Sequence, residues 1–300
     1  MMRVISLAVL IYSAIISTAF AQDSASLIAD NAQLKRISNQ FAFTEGPAVD
    51  KKGNIFFTDQ PNNKIWKYDT DGKLSVFLDS AGRSNGMYFD KKGNLLACAD
   101  AKNEIWSISP KKKITVLMSD LNGHKLNGPN DLWMHPRGGI YFTDPYYQRR
   151  YWDRKSADPA IGGEKLYYLP AGKSQPVVVD DQIKKPNGIV GTPDGKLLYV
   201  SDIGAGKIMR YTINADGSLS DRMEFATNTT DGMTLDNQGN LYAAGNGVMI
   251  YNKEGKKIHQ IKVPAGWTAN VCFGGKKNDQ LFITASESVY VLPMKVRGAK

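Results

Sequence analysis

The chain has 300 residues, with 38 Lys and Arg against 29 Asp and Glu, a formal charge of +9, three histidines and two cysteines. Two cysteines make no disulfide framework, and His124, His135 and His259 lack metal-ligand spacing, so a thiolate- or imidazole-based metal centre is not expected. The lysines fall in pairs at turn-like sites such as Lys51-Lys52 and Lys276-Lys277, not in one stripe interleaved with aromatics, which argues against nucleic-acid binding.

Residues 1–21 read as an export signal. Met1-Met2-Arg3 is short and basic, residues 4–20 are mostly apolar, and Ala19-Phe20-Ala21 is a small-x-small cleavage site before Gln22. Ser6, Ser13, Ser17 and Thr18 dilute a segment already short for spanning a bilayer. The expected mature chain is therefore residues 22–300, a single domain in the periplasm or secreted, without a stable membrane anchor. Residues 32–43 are expected to supply an outer strand that closes the last repeat.

The repeats follow. Each opens on an acid or amide: Glu45-Gly46-Pro47, Asn85-Gly86-Met87, Asn130-Asp131-Leu132, Asn187-Gly188-Ile189, Asp231-Gly232-Met233 and Asn270-Val271-Cys272. Eight positions after the first five comes Gly53, Gly93, Gly138, Gly195 or Gly239, and after the sixth comes Asn278, the residue that best imitates glycine at positive φ. A short apolar strand then begins, as in Ile55-Phe56-Phe57-Thr58-Asp59 and Ile140-Tyr141-Phe142-Thr143-Asp144. Strand, tight turn and strand at a period of about forty residues predict an all-β fold, a six-bladed β-propeller with a central channel. No long amphipathic helical period competes with this reading.

Blades surround an axis, so six equivalent positions form a ring, and here all six are Asn, Asp or Glu. Local turn capping explains one or two such positions. It does not explain six, one of them a Glu. A circle of oxygen donors suits a hard cation, and calcium takes about six to eight oxygens. Glu45 and Asp231 would neutralise one divalent ion, and the amide oxygens of Asn130 and Asn187 would complete the protein's share. Asn85 and Asn270 are left to hydrogen-bond a substrate.

A second register ends the second strand of the first four blades: Asp59, Asp100, Asp144 and Asp202. These are expected to bond backbone amides between blades or to orient the ring residues. His135 and His259 lie in turn and outer-strand contexts and read as solvated. Cys98 and Cys272 sit inside apolar strand runs and read as buried free thiols. The third repeat is lengthened by residues 146–164, whose aromatic and basic start (Tyr146-Tyr147-Gln148-Arg149-Arg150-Tyr151-Trp152) reads either as a substrate wall on the ring's side or as an Ω-loop packed on itself. A further loop, residues 122–129, runs into Asn130, which makes Lys125 and Asn127 candidate substrate-binding residues at the channel mouth.

Several phrases taken together resemble one family: Thr44-Glu45-Gly46-Pro47, Leu126-Asn127-Gly128-Pro129-Asn130-Asp131-Leu132, Tyr141-Phe142-Thr143-Asp144-Pro145, Pro186-Asn187-Gly188 and Asp231-Gly232-Met233. It is the gluconolactonase, senescence-marker protein and luciferin-regenerating-enzyme group of six-bladed propellers. The resemblance implies a single divalent ion, commonly calcium, with Mg2+, Mn2+ or Zn2+ as substitutes, held at Glu45, Asn130, Asn187 and Asp231. It implies catalytic work by Asp231 as acid/base or nucleophile. Sugar-lactonase members often carry Arg ahead of the Leu-Asn-x-Pro-Asn motif. Here Lys125 keeps the charge but not the bidentate fork.

The expected activity is therefore metal-dependent opening of a small sugar lactone, by an activated water or through an acyl-aspartate on Asp231. Two alternatives share the ring: hydrolysis of phosphorus esters or of another class of lactone, and a non-enzymatic binding propeller. The last has no need of two carboxylates at ring positions.

Overall fold

One backbone conformation repeats at the turn of every inner hairpin. Gly53, Gly93, Gly138, Gly195 and Gly239 all have φ between +71° and +93°, and Asn278 takes the same left-handed region at +57°. Asn reaches it at small cost because its amide bonds locally, and the Asn278 amide donates to Gly298 O at 3.0 Å. The turns close alike, with Gly53 N donating to Asp50 O and Asn278 N to Gly275 O, each at 3.0 Å.

The computed structural model describes residues 27–300, so the expected export segment at 1–21 lies outside the described residues. The strands are β1 (Lys35–Ser38), then β2 (Thr44–Val49), β3 (Ile55–Asp59), β4 (Lys64–Tyr68) and β5 (Leu74–Asp79) of the first blade. The second blade holds β6 (Met87–Phe89), β7 (Leu95–Ala99), β8 (Glu104–Ile108) and β9 (Ile114–Met118). The third holds β10 (Leu132–Met134), β11 (Ile140–Asp144), β12 (Lys165–Leu169) and β13 (Val177–Asp180). The fourth holds β14 (Pro186–Gly191), β15 (Leu197–Asp202), β16 (Lys207–Ile213) and β17 (Leu219–Thr227). The fifth holds β18 (Met233–Leu235), β19 (Leu241–Gly245), β20 (Gly247–Tyr251) and β21 (Lys257–Ile261), and the sixth β22 (Thr268–Gly274), β23 (Gln280–Ala285) and β24 (Ser288–Pro293).

Each blade is a four-stranded antiparallel meander, and β1 joins β24 as the outer strand of the sixth. The first and last blades are thereby tied by strand pairing. The result is the six-bladed propeller that the repeats predict.

Second strands such as Ile55–Asp59 and Leu95–Ala99 are buried along their whole length, because neighbouring blades cover both faces. One core cluster joins Trp133 and Tyr141 of the third blade to Ile189, Leu198, Val200 and Tyr211 of the fourth. Cys98 and Cys272 are both free and buried, as their apolar runs imply.

One reading is corrected. His135 is buried, not solvated. Its Nδ1 accepts from Arg137 N at 3.1 Å, the turn-capping job that Asp50 does for Lys52 N at 2.8 Å, and its Nε2 reaches Gly195 O at 3.1 Å. The second-strand aspartates bond backbone amides of the segments that join consecutive blades, as expected. Asp59 accepts from Ala42 N and Phe43 N, Asp144 from Asn127 N and Gly128 N, and Asp202 from Lys184 N and Lys185 N. Each carboxylate thus anchors the segment entering its own inner strand. Asp100 departs from the set: it takes Arg154 Nη2 at 2.7 Å and Gln60 Nε2 at 3.2 Å, from the third and first blades.

Candidate active site

The inner strands all run the same way, so their starts share one end of the channel. There Glu45, Asn85, Asn130, Asn187, Asp231 and Asn270 are brought together, none more than 7% exposed. Their backbones approach closely because small residues follow them. A Cβ on Gly46, at φ +42°, would lie 2.0 Å from Asn85 O, and one on Gly188 would lie 2.1 Å from Asp231 O. Gly86 N donates to Asn130 O and Gly232 N to Ala269 O, each at 2.7 Å. Blade is stitched to blade at the level of the ring.

Glu45 Oε2 accepts from Gly46 N at 3.1 Å. Burial pushes its carboxyl well above the usual range, and the charge of Asp231 adds to this. Burial also pushes Asp231 up, to about 6, against the opposing effects of the Trp267 hydrogen bond, the Arg149 charge and the Asn187 amide. Trp267 Nε1 donates to Asp231 Oδ2 at 2.7 Å, and Asn187 Nδ2 to Tyr147 Oη at 3.0 Å. The side chains of Asn85 and Asn130 have no hydrogen-bond partner among the described residues.

Three expected substrate contacts are placed otherwise. Lys125 is exposed, its Nζ 3.9 Å from Glu104 Oε1 on β8. The Asn127 amide is buried and donates to Asp144 O at 3.1 Å and Gly163 O at 3.0 Å, fastening the third-blade loop. The loop that carries both residues turns at Gly128, whose φ is +144°, before it reaches Asn130. Asn270 is in the ring, but its Oδ1 accepts from Val271 N at 2.8 Å and its amide holds down the pKa of both Glu45 and Asp131. It supports carboxyls and is not left for a sugar hydroxyl.

Four residues join the site beyond those named from the sequence. Asp131 is buried beneath the ring and raised to about 7 by burial, although Leu132 N and Ile189 N donate to it. Its signal was available: four of the six repeats have Gly immediately after the ring residue, and Asp131 fills space that a Cβ on Gly86 would occupy. Tyr147 and Arg149 come from the insert at 146–164, which bends back over the ring while also bonding itself through Tyr146 Oη and Gln148 Oε1 at 2.6 Å. Trp267 belongs to one blade only and left no periodic trace.

A cavity of about 620 Å3 opens at the other end of the channel, among the inner-hairpin turns. Met87, Leu132, Ile189 and Met233 line it, with Asp131 and Asn270 at the end nearest the ring. Volume does not mark the chemistry here. The perturbed carboxyls and their unsatisfied amide neighbours lie on the ring side.

The donors at the ring fit a hard cation. The described residues contain no cluster of three or more His, Cys, Asp and Glu side chains. What the ring offers is two carboxylates and the amide oxygens of Asn130 and Asn187. Burial raises both Glu45 and Asp231, and the charge of Asp231 raises Glu45 further, a need for counter-charge that a divalent ion would meet.

The comparisons agree with this architecture. Residues 43–287 match the SMP-30/gluconolactonase/LRE-like region. A gluconolactonase of Zymomonas mobilis is 27% identical over 291 residues, covering 87% of this chain and 81% of the relative. A gluconolactonase structure from Xanthomonas campestris superposes with a TM-score of 0.82 at 29% identity, over 90% of this chain and 91% of that one. Regucalcin from Agrobacterium tumefaciens, described as a calcium-binding protein, has a TM-score of 0.73 over 89% of this chain and 95% of its own. At 20% identity that likeness is to the fold alone. A match running from the first blade into the last makes this chain a member of the SMP-30/gluconolactonase/LRE-like family.

Proposed function

We propose that this chain is a metal-dependent lactonase that opens a sugar lactone, with one divalent cation held by Glu45, Asn130, Asn187 and Asp231. Calcium is the cation of choice for such a donor set, with Mg2+, Mn2+ or Zn2+ as substitutes. The observation that carries the reading is the pair of buried carboxyls, Glu45 and Asp231, the charge of the second raising the first, beside two amides at one end of the channel. The gluconolactonase relatives support the substrate class.

When bound, the cation polarises the lactone carbonyl and balances the charge that develops on its oxygen. Asp231 orients the attacking water and accepts its proton as the water oxygen bonds to the carbonyl carbon. The same proton passes to the ring oxygen as the ring C–O bond breaks, leaving a hydroxy acid. Trp267, donating at 2.7 Å, fixes the carboxyl's orientation for this. The unpartnered amide of Asn85 is available to a sugar hydroxyl.

The test is hydrolysis of sugar lactones, acyl-homoserine lactones and an organophosphate by the full chain, with and without chelator. A sugar lactone should be opened, the activity should vanish on chelation, and calcium should restore it. Activity indifferent to chelation, or confined to the organophosphate, would sink the proposal. A single turnover in 18O-water separates the two routes: label entering the Asp231 carboxyl would replace the water route with an acyl-aspartate.

A further inference from the structure

The ring's end of the channel gathers more positive charge than it consumes. Arg154 is spent on Asp100 at 2.7 Å, and Lys185 sits 3.4 Å from Glu164 while donating to Tyr146 O at 3.1 Å. Arg83 donates to Pro61 O and lies over the Tyr151 ring, 4.7 Å from its centroid.

Arg149 differs from these three. Its guanidinium lies over the Tyr147 ring at 4.9 Å, and the Tyr147 hydroxyl is 3.0 Å from the ring amide of Asn187. That stacking places it beside the ring, and its charge acts on Asp231, Asp100, Tyr147 and Tyr151. Yet Arg149 is exposed, and among the described residues its guanidinium has neither a hydrogen-bond partner nor an ion pair.

A guanidinium is a planar fork of N–H donors matched to a carboxylate, and stacking on an aromatic ring fixes its plane in advance. Glu45 and Asp231 do not quench this charge once a divalent ion balances them. Arg149 is exposed while the ring is buried, so its partner is the outer end of a bound molecule and not the reacting carbonyl.

We propose that Arg149 recognises a carboxylate at the far end of the substrate, so that the preferred substrate is the lactone of a sugar diacid. The proposal rests on the lactonase reading above and narrows its substrate class.

D-Glucono-1,4-lactone and D-glucaro-1,4-lactone differ only at the far carbon, a hydroxymethyl in the first and a carboxylate in the second. The wild-type chain should show kcat/KM roughly ten- to hundredfold higher for the diacid lactone, the size of one charge-assisted hydrogen bond. Arg149→Gln should shrink that ratio by the same factor, and Arg149→Lys, charged but without the fork, should fall between. Equal loss on both lactones in Arg149→Gln, or an unchanged ratio, would overturn the proposal.

Calorimetry with the open-chain products, D-glucarate against D-gluconate, separates this idea from the reading beneath it. If neither lactone is opened but D-glucarate binds more tightly through Arg149, the lactonase reading fails and carboxylate recognition stands. Equal binding of the two acids overturns the recognition itself.

Discussion

Two sets of polar residues repeat around this propeller with one period, and they behave differently. The aspartates that end the second strands of blades one, three and four, Asp59, Asp144 and Asp202, each accept at least two backbone N–H groups and hold the chain that enters the inner strand. The ring residues have fewer partners. Asn85 and Asn130 have none for their side chains among the described residues, and Glu45 and Asp231 face each other's charge.

Raised proton affinity does not separate the sets, since burial puts Asp144 at about 7 and Asp231 at about 6. What separates them is the donor: backbone N–H groups of the entering segment hold Asp144, whereas an indole N–H from another blade, that of Trp267, reaches Asp231.

The comparison breaks most sharply at Asp231. Asp231→Asn keeps size and an oxygen ligand but removes the charge, and should cost roughly a hundred- to ten-thousandfold in kcat with calcium in excess. Its unfolding midpoint without metal should not fall, because a desolvated charge is removed. Near-wild-type turnover would reduce Asp231 to a ligand.

Asp144→Ala should do the reverse. Two buried N–H groups lose their acceptor, which costs roughly 2–5 kcal/mol. Urea unfolding should show that loss, while the folded fraction should keep its turnover; a stability change under about 1 kcal/mol would mean that the carboxylate is not the anchor described.

Between the sets stands Gly188. A methyl group there must displace the carbonyl of Asp231, 2.1 Å away, at a cost of about 1–3 kcal/mol. Gly188→Ala should therefore lose both stability and activity. Retained activity would show that ring geometry tolerates the shift.

The smallest effect is in pH. Asp231 is raised by burial to about 6, so the folded protein holds a proton that the unfolded chain releases near pH 4. Stability from this group is complete below the unfolded value and is lost as pH rises through about 6. Metal-free protein should thus gain stability from pH 7 to 5. Divalent-ion affinity should fall about tenfold per unit below pH 6 as proton and ion compete. Affinity that is flat from pH 5 to 7 would contradict the assignment.

The amino-acid sequence determined the blade count, the ring and its residue types, because a residue that forms an inner-hairpin turn needs a left-handed backbone and a residue on the axis recurs once per blade. Both needs leave periodic marks, in Gly53 through Asn278 and in Glu45 through Asn270. Asp131 was legible in the same way, as the acid in a column of glycines. The closing strand β1 was legible too, since the sixth blade lacks an outer strand of its own after β24.

Only the tertiary structure decided what surrounds the ring. Trp267, Tyr147 and Arg149 reach Asp231 and Asn187 from a different blade and from an insert, so no spacing encodes their contacts. Lys125 and Asn127 are neighbours of Asn130 in the chain, yet Asn127 is bound to Asp144 and Gly163 and Lys125 faces Glu104, because a loop's side chains follow its hydrogen bonds and not their distance in residues from the site. Periodic positions are fixed by symmetry about the axis. Loops obey no such symmetry, and their side chains go where packing and unpaired N–H groups take them.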